Sequence, residues 1–301
     1  MTRWCPQTPG AAFLLTLLAL PFLLSNTNAA SPLMATAQEF DADFDYVAGA
    51  PTHLRGANIG SVEEFNAAAR YAVSPAITKR LLLRLGAEWQ RSDLRVPDNV
   101  PLPKTLQQAS AIVGLDCQLT DQWLLRTELD PGIYSDFKDV SWRDVNAPFL
   151  LTAACVVDAD FQWFVGLRLN LYSQYPVWPV LGMRWKFADE WTLNLILPHP
   201  RLEYDVNERL KLYLGGRVQG GTYRVSDDFG TDHGDPRLNH ELLDQYELRV
   251  GPGVSWRLLR NMTIDLDVGY MVYREFNFFD HHVVLRSNPA PYGQIAWHLR
   301  F

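Results

Sequence analysis

Cysteine is scarce in this chain, three in 301 residues, which excludes a disulfide-stapled scaffold and any cysteine-rich zinc site. Cys5 precedes an apolar stretch near the amino end. Cys117 and Cys155 fall on the apolar faces of two non-adjacent predicted strands, where thiols behave as small hydrophobes and do not bridge. Long apolar runs are also missing: Ala11 to Leu24 is the longest, short of the roughly 20 residues a membrane-spanning helix needs. Positive charge is in deficit. The 27 Lys and Arg against 34 Asp and Glu give a formal net charge of -7, which argues against a nucleic-acid partner. No serine sits in a Gly-x-Ser-x-Gly elbow.

Arg3 followed by Ala11–Leu24 has the charge order and length of a secretory leader. Residues 1–30 are expected to be removed, with the cut near Thr27-Asn28-Ala29 or Ala30 and not at Ala35-Thr36-Ala37, which lies far from the apolar core. Arg3 is the only charge lost, so the net of -7 becomes -8.

The whole chain is 48% hydrophobic with ten tryptophans, nine of them beyond residue 30, yet the part after the leader holds no helix-length apolar run. Alternation accounts for this. Ile264, Leu266, Val268, Tyr270, Val272, Phe276 and Phe278 form one face, with Thr263, Asp265, Asp267, Gly269, Tyr273, Glu275 and Asn277 on the other. The same split recurs in Trp163, Val165, Leu167, Leu169 and Leu171 against Gln162, Arg168, Asn170, Tyr172 and Gln174. It appears again in Leu81, Leu83, Leu85, Ala87 and Trp89 against Arg84, Gly86, Glu88 and Gln90. Side chains on a strand alternate between faces, so each segment has an oily side and a wet side, as a barrel wall between lipid and lumen requires.

Short polar turns are predicted at 78–80, 120–122, 158–160, 188–190, 207–209 and 260–261. Longer connections rich in Pro, Asp and Gly fall at 55–62, 95–105, 138–147, 174–177, 198–200, 226–241 and 280–290. Outer-membrane barrels show this asymmetry, with turns in the periplasm and loops outside. The fold class is therefore all-β, a transmembrane antiparallel up-and-down barrel of about 14 strands. Bulges in place of connections at Tyr175-Pro176 and Pro198-His199-Pro200 would make it about 12. Trp123, Trp163, Trp185, Trp191, Trp256 and Trp297 cluster near the short turns on the apolar face, as an interfacial girdle does. Gly215-Gly216, Gly220-Gly221 and Gly251-Pro252-Gly253 are expected to mark bends or bulges.

The wet face carries both signs. Arg84, Glu88, Arg126, Glu128, Arg168, Arg184, Arg217, Arg249, Asp265 and Asp267 are the lumen-lining candidates, accompanied by Arg70, Asp116, Asp130, Lys186, Arg201, Glu203, Asp205, Lys211, Glu247, Arg257, Glu275 and Arg300. Two readings stay open. These charges pair across the interior and fill it, because buried charge must be matched, or they line an aqueous path and set its field. Barrels of about 8 strands are filled and those of 16 to 18 leave a channel, so 14 does not decide.

Two loop stretches, Thr231-Asp232-His233-Gly234-Asp235 and Phe279-Asp280-His281-His282, place imidazole beside carboxylate, as a general base or a metal site would need. Hydrophilic surface loops have the same composition. No catalytic residue, metal site or cofactor is assigned.

The last strand adds a family resemblance. Ile295, Trp297, Leu299 and Phe301 alternate with Gln294, His298 and Arg300, and the segment resembles the final strand of Gram-negative outer-membrane β-barrel proteins, whose closing Phe is read by the barrel-assembly machinery. The stretches Leu197–Tyr204 and Leu212–Gly216 resemble uncharacterised outer-membrane barrel families known only as domains of unknown function. Neither the outer-membrane phospholipases nor the omptin proteases are matched, and no plug domain of a TonB-gated transporter precedes the barrel. The resemblance implies a bacterial outer-membrane location with lipid and the assembly machinery as partners.

The expected organisation is a leader over 1–30, a periplasmic lead over 31–39 and a barrel over 40–301. The expected function is a pore for small solutes. A closed barrel whose loops bind a partner or surface ligand is the alternative, and a loop-sited hydrolase trails. Deletion of Phe301 is expected to lower the folded, membrane-inserted fraction sharply, as read by heat-modifiable gel migration.

Overall fold

Period-two alternation yields strands along nearly the whole of the computed structural model, which describes residues 36–98 and 100–301. In chain order these are β1 (Ala37–Leu54), β2 (Ala57–Ser74, continued by Ala76–Thr78), β3 (Leu81–Arg95), β4 (Thr105–Gln118) and β5 (Trp123–Leu129 and Gly132–Ser135). Next come β6 (Val145–Asn146 and Phe149–Val156), β7 (Phe161–Leu169), β8 (Val177–Lys186), β9 (Trp191–Asn194) and β10 (Arg201–Asp205). The last four are β11 (Leu210–Arg224), β12 (Leu242–Leu259), β13 (Met262–Phe278) and β14 (Val283–Ser287 and Ala290–Arg300). The breaks within β2, β5, β6 and β14 hold Pro75, Pro131, Pro148 and Pro289. Proline has no N–H to give to a ladder. The strand resumes at once because the neighbouring backbone still finds carbonyls there, as when Leu83 N donates to Pro75 O and Ala111 N to Pro131 O.

Each strand bonds antiparallel to its chain neighbour, and β14 returns to β1 with Glu39 opposite Arg300 and Val47 opposite Tyr292. The result is a closed antiparallel barrel of 14 strands. The connections at 170–176 and 195–200 are genuine, so the 12-strand alternative falls. β1 begins at Ala37, and residues 37–39, read from the sequence as the end of a lead, pair with Ala72–Ser74 of β2. The leader expected over 1–30, with Cys5, lies outside the described residues. Cys117 and Cys155 are free thiols.

Both ends of the described chain and six short turns lie at one end of the barrel, here the turn end, and seven connections lie at the other, the loop end. Two of the expected loops are shorter than predicted. At 55–62 only Arg55 and Gly56 lie outside strands, with φ of 51° and 85°, the two positive values a tight two-residue hairpin requires. At 280–290, Val283–Ser287 is strand, leaving a turn of 3-10 helix at Phe279–His281.

The faces follow the sequence alternation except where a strand bulges, as between Val47 and Ala50 of β1 and, with the larger consequence, in β13. Leu266 is 50% exposed on the outside while Asp265 is buried inside. Between Leu248/Arg249 of β12 and Met271/Tyr273 of β13 the register slips by one residue, and this bulge at Val272 reverses every later side chain. Phe276 and Phe278 therefore point inward and are fully buried, not lipid-facing as alternation predicts. Glu275, predicted to line the lumen, points outward and accepts from Tyr273 Oη (2.6 Å) and Arg286 Nε (2.7 Å). The glycine pairs of β11 and β12 carry no bulge, because Leu210–Arg224 and Leu242–Trp256 pair without a break. Gly253 instead makes room for the inward ring of Tyr213, which a Cβ would strike. The tryptophans of the turn end form a linked band: Trp123 meets Trp163 edge-on at 5.1 Å, Phe187 stacks on Trp191 at 6.4 Å, and Trp191 meets Tyr204 at 4.9 Å.

At the loop end the wall overlaps itself. β9 and β10 are four and five residues long and climb only partway, with 195–200 extending the ladder to Met183 of β8 and Val218 of β11. Beyond that level β8 and β11 are not paired with each other. Arg224 of β11 instead bridges in parallel to Ser135 of β5. The tip of the β7–β8 hairpin then lies on the outer side of β11 and β12. Asn170 Nδ2 donates to Thr222 Oγ1 (3.1 Å), and Ser173 Oγ and Gln174 N donate to Asp244 Oδ2 (3.0 and 2.9 Å). Pro179, Pro198 and Pro200 lie along these edges, where a missing N–H leaves no ladder bond unmade.

Leu266→Arg is expected to lower the barrel's unfolding free energy by about 2 to 4 kcal/mol, the cost of a cation at mid-depth on a lipid face, with Asp267→Asn costing less. Urea titration of the refolded protein in micelles or vesicles reads both, and the opposite ranking would place the two faces the other way round.

Candidate functional site: the barrel interior

The inward face of β1 carries Glu39, Asp41, Asp43 and Asp45, each separated from the next by an outward residue. Their partners come from other strands. Arg84 of β3 reaches Glu39 and also donates through Nε to Glu128 Oε2 at 2.8 Å. Arg70 of β2 spans Glu88 (2.7 Å) and Glu128 (2.5 Å), and Arg126 clasps Asp116 with two bonds (2.6 and 2.9 Å). Asp41 accepts from Arg300 (2.8 Å) and contacts His298 Nδ1 (2.7 Å). Asp43 meets Arg217 of β11 at 3.2 Å, and Arg201 of β10 meets Asp265 at 2.7 Å with its guanidinium 4.1 Å over the Tyr213 ring.

Nearer the loop end the interior is dry. Arg249 is 0% exposed between Asp45 (2.8 Å) and Glu247, and Arg274, also 0% exposed, donates to Glu64 (2.9 Å) and to Val62 O (2.9 Å). Asn66 Nδ2 donates to Asp45 (2.7 Å) and Gln245 Nε2 to Glu64 (2.9 Å). Charge in such a place is tolerated only when matched on every side.

Above this polar layer sits an apolar one. Val100 and Leu102 from the connection 96–104, and Val225, Phe229 and Leu238 from 225–241, meet Val62, Leu106, Tyr223, Phe276, Phe278 and Leu285 of the wall in one buried cluster. Phe229 stacks on Phe278 at 5.7 Å. The lobe 225–241 holds its own shape: Val225 N donates to Glu241 O, Thr231 N to Asn239 Oδ1, and Asp235 N to Gly230 O. Ser226 N, donating to Asp136 Oδ2 at 2.9 Å, ties it to the neighbouring connection.

The ten lumen candidates thus fall into different situations. Arg84, Glu88, Arg126, Glu128, Arg217, Arg249 and Asp265 are in interior ion pairs. Asp267 borders a small enclosed space of about 20 Å³ with Arg201, Arg217, Tyr213 and Tyr292. Arg168 and Arg184 are on the same face but stand outside every ion pair among the described residues. Glu39, Asp41, Asp43, Asp45, Glu64 and Arg274 were missing from the sequence-derived set. The Asp41-Ala42-Asp43-Phe44-Asp45-Tyr46 alternation is legible enough to have found the acids of β1, whereas the bulge hides Arg274.

Three histidines of the loops take part in shaping them. His233 Nδ1 contacts Phe229 O (2.7 Å), His240 Nδ1 contacts Asp227 (2.5 Å), and His281 Nε2 contacts Glu241 (3.1 Å). Among the described residues no group of three or more His, Cys, Asp or Glu is placed to hold a metal ion.

The family model described as "Domain of unknown function (DUF6268)" matches residues 81–285. No curated protein matches the chain. Among solved structures, the chain is similar to the COG4313 outer membrane channel from Pseudomonas putida F1, with 10% identity, TM-score 0.45, and 90% of this chain and 97% of that chain covered. It is similar also to the Pseudomonas putida toluene transporter TodX (9% identity, TM-score 0.40, 87% and 89% covered) and to the NanC porin (9%, 0.40, 86% and 98%).

Arg249→Ser strands Asp45 and Glu247 without a counter-charge and is expected to cost about 3 to 5 kcal/mol. Arg168→Ser removes no ion pair and should stay within about 0.5 kcal/mol of wild type. Paired urea-unfolding curves test the contrast.

Proposed function

The chain belongs to the DUF6268 family, and we propose that it is an outer-membrane barrel that passes small solutes and is closed at rest by a plug of its own outer connections. The outward surface supports the location. Leu266, Val268, Tyr270, Leu212, Leu214 and Val250 stand exposed on it, and the Trp band lies at the turn end, where amphipathic rings favour an interface. That end faces the periplasm in this reading and the longer connections face outward. Lipid contacts the wall, and the assembly machinery inserts it.

One observation carries the reading of passage. The apolar layer that shuts the loop end draws Val100, Leu102, Val225, Phe229 and Leu238 from connections, so the closure can leave while every strand pairing of the wall stays intact. Below it the interior is polar and carries charges of both signs, and Arg184 stands there in no ion pair among the described residues. An apolar lid over a polar lumen blocks ions, since a charge crossing it would lose its hydration with nothing in exchange.

A second reading has its own observation. Arg249, Arg274 and Glu64 are fully out of contact with solvent beneath the plug, so the wall's own side chains form another filled layer. On that reading the barrel is a closed scaffold whose outer connections bind a partner or surface ligand.

Replacing residues 227–239 by a short Gly-Ser link is expected to raise single-channel conductance in a planar bilayer well above the wild-type level while heat-modifiable migration still reports a folded barrel. A folded but silent variant would overturn the plugged channel and leave the closed scaffold.

A further inference from the structure

Where the β7–β8 hairpin overlaps β11 and β12, an arginine that is in no ion pair among the described residues lies beside exposed aromatic rings. Arg168 stands directly across from Trp178 in the β7–β8 register, and opposite residues in a sheet present their side chains to the same face about 5 Å apart. The Arg168 side chain is exposed, unlike Arg84 and Arg249, which are buried among carboxylates. Asp130 lies within its field but beyond ion-pair distance. Trp178 is 46% exposed and is flanked by Tyr175, edge-on at 5.8 Å, and by Tyr246 of β12 at 6.0 Å. Tyr246 is held in turn by Asp244 (3.1 Å) and Ser173 (3.0 Å), the residues that fasten the overlap.

A free guanidinium presents a planar fork of donors that matches a carboxylate in two bonds. Aromatic side chains beside it offer edge and offset contacts to a further ring. We infer that this overlap binds a small aromatic carboxylate, its anion on Arg168 and its ring against Trp178 and a neighbouring tyrosine. The inference rests on the reading of the barrel as a route for small solutes and names a solute class for it.

Calorimetric titration of the folded full chain in zwitterionic micelles tests this with naphthalene-2-carboxylate and the uncharged naphthalene-2-carboxamide. Wild type is expected to bind the carboxylate about 10- to 100-fold more tightly, the size of a charge-assisted bidentate contact. Arg168→Gln should erase that preference and leave the carboxamide affinity unchanged, while Trp178→Ala should weaken both. Equal affinities in wild type, a preference that survives Arg168→Gln, or no binding of either probe would each overturn the site. Binding at equilibrium needs no flux. A plug-deleted barrel that is silent in the bilayer yet binds the carboxylate defeats passage and keeps the site, and one that conducts without binding does the reverse.

Discussion

The barrel depends on charge matched across its interior. Four carboxylates on one strand, Glu39, Asp41, Asp43 and Asp45, are met by Arg84 of β3, Arg300 of β14, Arg217 of β11 and Arg249 of β12. These strands are spread around the wall, so the pairs tie distant parts of the cylinder together where backbone ladders tie only neighbours. Each guanidinium would be ruinous there alone, since stripping an ion of water costs several kcal/mol that only a close opposite charge and further hydrogen bonds offset. The arrangement therefore fixes register as well as stability. A strand slipped by one residue would turn its carboxylates to the apolar outer face and leave the facing arginines bare.

That constraint explains the layering along the axis. Near the turn end Arg70 and Arg126 retain some exposure, although Arg84 with Glu39 and Glu128 is already buried there. Towards the loop end, side-chain exposure of the pairs falls to nothing at Arg249 and Arg274. Two features of the wall produce the change. β9 and β10 stop early, and β11 turns to bridge β5, which leaves the β7–β8 hairpin lying on the outside. The inward-turned Phe276 and Phe278 then meet the lobe that carries Phe229 and Leu238. Buried ion pairs beneath an apolar cap close the loop end, and in the proposed channel a solute would have to displace the part of that cap that belongs to the connections.

Proline sets much of this plan. Pro75, Pro131, Pro148 and Pro289 interrupt strands that continue past them, and Pro179, Pro198 and Pro200 lie where the wall ceases to pair edge to edge. Each removes one donor from the ladder, so the sheet is weakest where its strands change direction or part company. Arg168, exposed beside the overlap and in no ion pair among the described residues, lies next to such a place. Its neighbours there are aromatic, whereas Arg249, deeper in the loop half, is held between Asp45 and Glu247.

By itself the sequence determined the strand period, the outward and inward faces over most of the wall, the tryptophan band and the number of strands. All of these follow from local chemistry, because alternation and turn residues act within a few positions. The acids of β1 were equally legible in the alternation of Asp41, Asp43 and Asp45. Only the tertiary structure decided which charges pair, since Asp43 and Arg217 are 174 positions apart and nothing local relates them. It also decided the reversal at Val272, where one unpaired residue carries Phe276 and Phe278 inward and Glu275 outward. A bulge leaves no mark in composition: it is set by what the two neighbouring strands and the apolar lobe above can accommodate together.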